Sequence, residues 1–145
     1  MYKRILVATD GSELATRAVN HGLSLAKSLG ATVIAIYVMR PLDVYMPAEV
    51  MIAIPEEECQ KGVEKIARQS LEKVKQIAHE LGVPCETRQV LNVHPWQAIV
   101  DAASKENCDL IVMGSHGRTG LVGLVLGSET QKVLAHSNVA VLVHR

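Results

Sequence analysis

Leu110-Ile111-Val112-Met113-Gly114-Ser115-His116-Gly117-Arg118-Thr119-Gly120 is an unbroken apolar run that passes straight into a glycine-rich loop. Half-exposed strands alternate apolar and polar residues, whereas strands covered on both faces of a parallel sheet are apolar throughout. Leu110 to Met113 therefore reads as a central strand of such a sheet. Ile5-Leu6-Val7-Ala8 and Val33 to Val38 have the same character, and Val139 to Val143 is a further short run near the end of the sequence. Cys85 to Leu91 alternates more than these, which suits an edge strand or one exposed on one side.

Helical patterns separate the strands. Ser12 is placed to cap a helix whose inner face is Leu14, Ala18, Gly22, Leu25 and Leu29, with Gly30 as its stop. The strongest amphipathic pattern runs from Glu56 to Leu81: Val63, Ile66, Ala67, Leu71, Val74, Ile77 and Ala78 share one face, and Gly82 closes it. His94-Pro95-Trp96 opens another helix, with Ala98, Ile99, Ala102 and Ala103 inward, and Ser128 to Ser137 forms the last. Arg40 to Pro55, with Pro41, Pro47 and Pro55, lacks a clean period and reads as an irregular excursion. Strands alternating with helices require right-handed crossovers, a parallel sheet and helices on both faces. The expected fold class is thus α/β, doubly wound, as one domain over residues 1–145.

Composition narrows the function. Lys+Arg and Asp+Glu are both 15, so the net charge of +0 offers no electrostatic footprint for nucleic acid or an anionic membrane. Three cysteines (Cys59, Cys85 and Cys108), widely spaced and without a CxxC pair, argue against a disulfide framework or a zinc knuckle and for a reducing compartment. The opening MYKRILVATD contains no secretory signal pattern, and no apolar stretch reaches the roughly 18 residues of a membrane span. A cytoplasmic protein is expected. The six histidines contain no HxxxH or HxH pair, so no metal cluster is expected. His116 reads as an exposed loop residue, Cys108 as core packing, and Trp96 as cover for the core edge.

Ligands of open parallel sheets bind beyond the carboxyl ends of the strands, where strand order reverses. The loops after Ala8, Val38 and Met113 are therefore the informative ones. Phosphate oxygens need several N–H donors converging on one point. Glycine lets the backbone come close, and a helix start adds free N–H groups and a positive dipole end. Gly114, Gly117 and Gly127, followed by Ser128-Glu129-Thr130 opening a helix, supply these parts in order, with the Ser128 and Thr130 hydroxyls as further candidate donors.

The spacing Gly114-x2-Gly117-x9-Gly127-Ser128 resembles the nucleotide-binding signature of the universal stress protein family, GxxG-x9-G[ST]. The resemblance extends to the MYKRILVATDGSE start and the SNVAVLVHR ending. It implies a five-stranded parallel sheet of order 3-2-1-4-5, usually dimeric, that binds adenine nucleotide, ATP or AMP, with Mg²⁺ able to accompany it. Carried over residue by residue, it places phosphates on Gly117, Arg118, Gly127, Ser128 and Glu129, mostly through main-chain groups. Gly114 lies beside the ribose, and Asp10, following Thr9, accepts from a ribose hydroxyl or approaches a metal. Adenine sits against Ala8 and Val38, its edge read by Val38 main-chain groups, with Met113 as another wall. Ala8 stands where many relatives have proline, Tyr37 where many have histidine, and Val93 where glycine is common.

Other classes lack their marks here: there is no GxxxxGK[ST], no early GxGxxG, no acid at the end of the Cys85–Leu91 strand, and aromatic content is 3%. Two functional classes remain: a nucleotide-responsive module of the stress response, and a slow ATP-cleaving enzyme, for which Glu129 is the one carboxylate near the expected phosphates. In the implied strand order Val139 to Val143 is a bare apolar edge, which calls for a homodimer through that strand.

Overall fold

A computed structural model describes residues 1–45, 47–118 and 125–145, with the side chains of Val44, Tyr45, Met51 and Ile52 excepted. In sequence order the elements are β1 (Arg4–Ala8), α1 (Glu13–Leu29), β2 (Thr32–Met39), α2 (Leu42–Tyr45), α3 (Ala48–Ala53), α4 (Glu56–Leu81), β3 (Cys85–Leu91), α5 (Pro95–Lys105), β4 (Leu110–Gly114), α6 (Ser128–His136) and β5 (Ala140–His144). The strands form one sheet of order β3-β2-β1-β4-β5, every pair parallel. This is the doubly wound order expected, with the reversal between β1 and β4.

Alternation along the strands divides the core in two. Ile5, Val7, Val33, Ala35, Leu110 and Val112 pack under α1 and α4 with Val19, Leu23, Ala67, Leu71 and Val74. Leu6, Ala8, Ile34, Ile36, Ile111 and Met113 face the other way and meet Ile99 and Ala103 of α5 and Val133 of α6. Because both faces of β1 and β4 are covered, their sequences show no polar residue between Ile5 and Ala8 or between Leu110 and Met113. Gly22 lets α1 lie close to the sheet: a Cβ there would come 3.0 Å from Val7 Cγ2 and 3.4 Å from Val112 Cγ1.

The expected caps form. Ser12 Oγ accepts from the Ala15 N–H at 3.2 Å, and Gly30 and Gly82 adopt φ of 64° and 71° at the ends of α1 and α4. Two boundaries differ from expectation. The stretch from Arg40 to Pro55 is not irregular throughout but carries α2 and α3, too short to display a period; Pro47 and Pro55 sit at the N-caps of α3 and α4, where a fixed φ and a missing N–H cost nothing. The last strand begins at Ala140 rather than Val139, because the Val139 N–H donates to Ser137 Oγ at 3.1 Å in a local turn. No helix among the described residues is long and apolar enough to cross a membrane.

Candidate functional site

The site is built at the carboxyl end of β1, beside the β1–β4 reversal. β1 stops at Ala8, and Thr9 N–H donates to the Ile36 carbonyl at 3.0 Å as the last bond between β1 and β2. In a parallel ladder the N–H and C=O of one residue point to the same side, and that side alternates along the strand. The next groups of β2 facing β1 are therefore those of Val38, one step beyond the last rung. Ala8, Val38 and Met113 all lie on the α5–α6 side of the sheet: Ala8 and Met113 belong to that core, and Val38, half-buried, packs against it. Three neighbouring strands thus present an apolar floor with an N–H and C=O pair at its margin.

Asp10 ties the first loop to the third. Its Oδ1 accepts from Ser12 N–H at 2.9 Å and its Oδ2 from Arg118 N–H at 2.8 Å. A carboxylate has about four acceptor positions, so two remain for other donors. The Gly117 Cα lies against this link: a Cβ there would come 2.9 Å from Asp10 Oδ2. Gly114 ends β4, where an added Cβ would press on the His116 carbonyl and the Leu14 side chain, both at 3.3 Å. On the far side of the loop Gly127 N–H donates to the Ser115 carbonyl at 2.7 Å, and a Cβ on Gly127 would stand 3.1 Å from that same oxygen. Close backbone approach is therefore required at both Gly117 and Gly127.

Gly127 is the N-cap of α6, and this helix has no side-chain cap. A capping side chain would ordinarily accept from Glu129 or Thr130 N–H, and glycine offers none, so the first-turn N–H groups and the positive end of the helix dipole face the loop uncapped. Ser128 is exposed. Thr130 departs from the expected role: it is buried, and its hydroxyl is shared between the Gly114 and Ser115 carbonyls at 3.1 Å each, so it braces the strand exit instead of reaching a ligand. Glu129 is likewise engaged. Its Oε1 pairs with Arg40 Nη2 at 3.2 Å, and its Oε2 accepts from Trp96 N–H at 2.8 Å at the start of α5. That carboxylate ties the residue after β2 to the starts of α5 and α6. Trp96 covers the core edge as expected and stacks on His136, ring centroids 4.6 Å apart.

His116 is not the exposed loop residue expected. It is half-buried, its Nδ1 lies 3.0 Å from Ser115 Oγ, and its Nε2 is buried without a hydrogen-bond partner among the described residues. Sequence reasoning also missed Arg40, which directly follows β2 and precedes Pro41 and gave no signal of a pairing 89 residues away. Thr119 and Gly120 of the loop lie outside the described residues.

A doubly wound parallel sheet with a glycine loop and an uncapped helix start at its reversal point defines a class of α/β ligand-binding folds. Within that class, a model of the universal stress protein family matches residues 1–145, and the protein belongs to that family. Universal stress protein MJ0531 of Methanocaldococcus jannaschii is 38% identical over 144 residues, which is 99% of this protein and 82% of that one. The solved structure of MJ0577, from the same organism, superposes with a TM-score of 0.83 at 33% identity, covering 99% and 96% of the two proteins. A universal stress protein crystallised in complex with cAMP superposes with a TM-score of 0.70 at 26% identity, covering 99% and 97%.

Proposed function

We propose that this protein binds an adenine nucleotide, ATP or AMP, at the carboxyl end of β1 and β4, as a single nucleotide-responsive domain of the stress response in the cytoplasm. The observation that carries the reading is the meeting of an uncapped α6 N-terminus with a close-packed glycine loop that Asp10 tethers to β1. Such an arrangement suits an anion. The crystallised relative with cAMP adds support, since an adenine nucleotide is accommodated on this fold.

In the proposed complex Ala8, Val38 and Met113 form the adenine floor. Adenine offers an exocyclic N–H donor beside ring-nitrogen acceptors, the complement of the Val38 carbonyl and N–H. Asp10 has acceptor capacity left for a ribose hydroxyl, near Thr9 and Gly114. Gly117, Arg118, Gly127, Ser128 and Glu129 surround the phosphates, with the N–H groups of Ser128 and Glu129 as the principal donors. Mg²⁺, when present, accompanies the phosphates.

Binding is favoured over ATP cleavage on one observation. Water attack needs an oriented carboxylate or equivalent, and both oxygens of Glu129 are already held by Arg40 and Trp96. Mass spectrometry of small molecules released from purified protein, followed by calorimetric titration with ATP and AMP, tests the proposal. Co-purified adenine nucleotide, or saturable binding of one, is the expected result. Protein that arrives free of nucleotide and takes up neither at millimolar concentration overturns it.

A further inference from the structure

His21 and His144 are 123 residues apart in sequence, yet their Nδ1 atoms lie 3.3 Å apart. The rings meet edge to face, planes at 85° and centroids 5.5 Å apart. Both stand on rigid elements. His21 lies on the exposed side of α1, one residue before the Gly22 contact with the sheet. His144 ends β5, in register with Gly114, and its carbonyl accepts from Ser115 N–H at 2.8 Å.

A neutral imidazole has one N–H and one in-plane lone pair. Two lone pairs facing each other repel unless something positive lies between them, either a shared proton or a cation. A hydrogen shared as Nδ1–H···Nδ1 holds the two rings together at 3.3 Å when no metal is bound. The same separation also matches the bite of a chelated cation. Two ring nitrogens, each about 2.0–2.1 Å from a tetrahedral zinc ion, are about 3.3–3.4 Å apart. Imidazole nitrogen suits zinc, copper and nickel, whereas magnesium and calcium prefer oxygen.

We propose that His21 and His144 form a bidentate site for a first-row transition-metal dication of the zinc, copper and nickel group. Both rings bind through Nδ1 as neutral Nε2–H tautomers, so the ring whose Nδ1 carries the hydrogen in the metal-free pair exchanges it for one on Nε2 when the metal enters. Among the described residues no group of three or more His, Cys, Asp or Glu gathers around a common point, so water completes the coordination and the affinity is moderate. The metal would fasten α1 to β5, an outer strand of the sheet. This site is separate from the proposed nucleotide site and does not depend on it.

The test starts with the wild-type protein labelled with ¹⁵N at histidine and titrated with zinc chloride. The Nδ1 resonances of His21 and His144 should move together, ahead of those of His79, His94, His116 and His136. Calorimetry should then give one zinc per protomer, no uptake of Mg²⁺, and at least tenfold weaker zinc binding in His21→Ala and in His144→Gln. Zinc reaching other histidines first, unchanged affinity in both variants, or no uptake at several hundred micromolar zinc each overturns the proposal. The wild-type titration decides the matter even if a variant fails to fold.

Discussion

Asp10 accepts two main-chain N–H groups that lie 106 positions apart in the sequence, those of Ser12 and Arg118, and so holds one loop against another. Asp10→Ala should therefore do more than remove a ribose partner: the loop that carries Gly117 loses its tether to β1. A hydrogen bond to a charged group is worth roughly 1.5–3 kcal/mol, about ten- to hundredfold in affinity, and calorimetric titration of ATP should show at least that loss. Gly127→Val should abolish nucleotide binding while circular dichroism keeps its native shape. The new side chain meets backbone atoms of Ser115 and His116, which have no rotamer to turn aside into, and the clash falls at the loop outside both cores. Undiminished affinity in Gly127→Val would refute the phosphate loop. Cys108 gives a third expectation at this scale. Burial pushes its thiol up to about 11, so at pH 8 a thiol reagent should label it only after unfolding. Its packing role was legible from its place before an apolar run, as were the glycines from their spacing. The second role of Asp10, the inward fold of His116 and the His21–His144 pair were not, because each depends on a partner that only the tertiary fold brings near.

At the scale of elements, α5 is fastened at both ends by carboxylates. At its start Glu129 accepts from Trp96 N–H, and at its end Glu106 bonds Arg88 Nε of β3 at 2.5 Å and Arg4 Nη2 of β1 at 3.2 Å. Two guanidinium groups, chiefly that of Arg88, hold the Glu106 carboxyl below its ordinary value. A glutamate in the unfolded state titrates near ~4.3. The folded state binds this proton less readily, so the contribution is fully present above that pH and is lost as pH falls through the lower folded value. Urea unfolding between pH 6 and pH 3 should therefore show a steeper loss of stability in the wild type than in Glu106→Gln. Parallel slopes would mean the network is only a solvated surface. Strands and long helices were legible because burial on one or two faces writes its period into the sequence. The helices α2 and α3 were not, since elements of 4 and 6 residues complete too few turns to show one.

For the whole molecule, the strand order leaves β3 and β5 as the two edges, and they are finished differently. β3 carries Glu86 and Arg88, which pair with each other at 2.8 Å and engage Arg4 and Glu106, so that edge is masked by charge. β5 has no acidic residue and no Lys or Arg between Ala140 and His144. We propose that β5 pairs with its own copy across a twofold axis, giving an antiparallel join of two five-stranded sheets. The structure also indicates how to break that join without harming the fold. Val141 packs toward the α5–α6 core and Leu142 toward the α1–α4 core, so a lysine at Val141 would damage the protomer as well as the edge. The backbone offers a cleaner probe. The His144 carbonyl points to β4, where it accepts from Ser115 N–H; by alternation the N–H groups of Val141 and Val143 point outward. Proline is tolerated on an edge strand when its nitrogen faces away from the sheet. Val143→Pro removes an outward donor and leaves the β4–β5 ladder intact. Sedimentation at tens of micromolar should find the wild type as a dimer and Val143→Pro as a folded monomer. A monomeric wild type would end the proposal, and a dimeric, folded Val143→Pro would place the interface elsewhere on the surface.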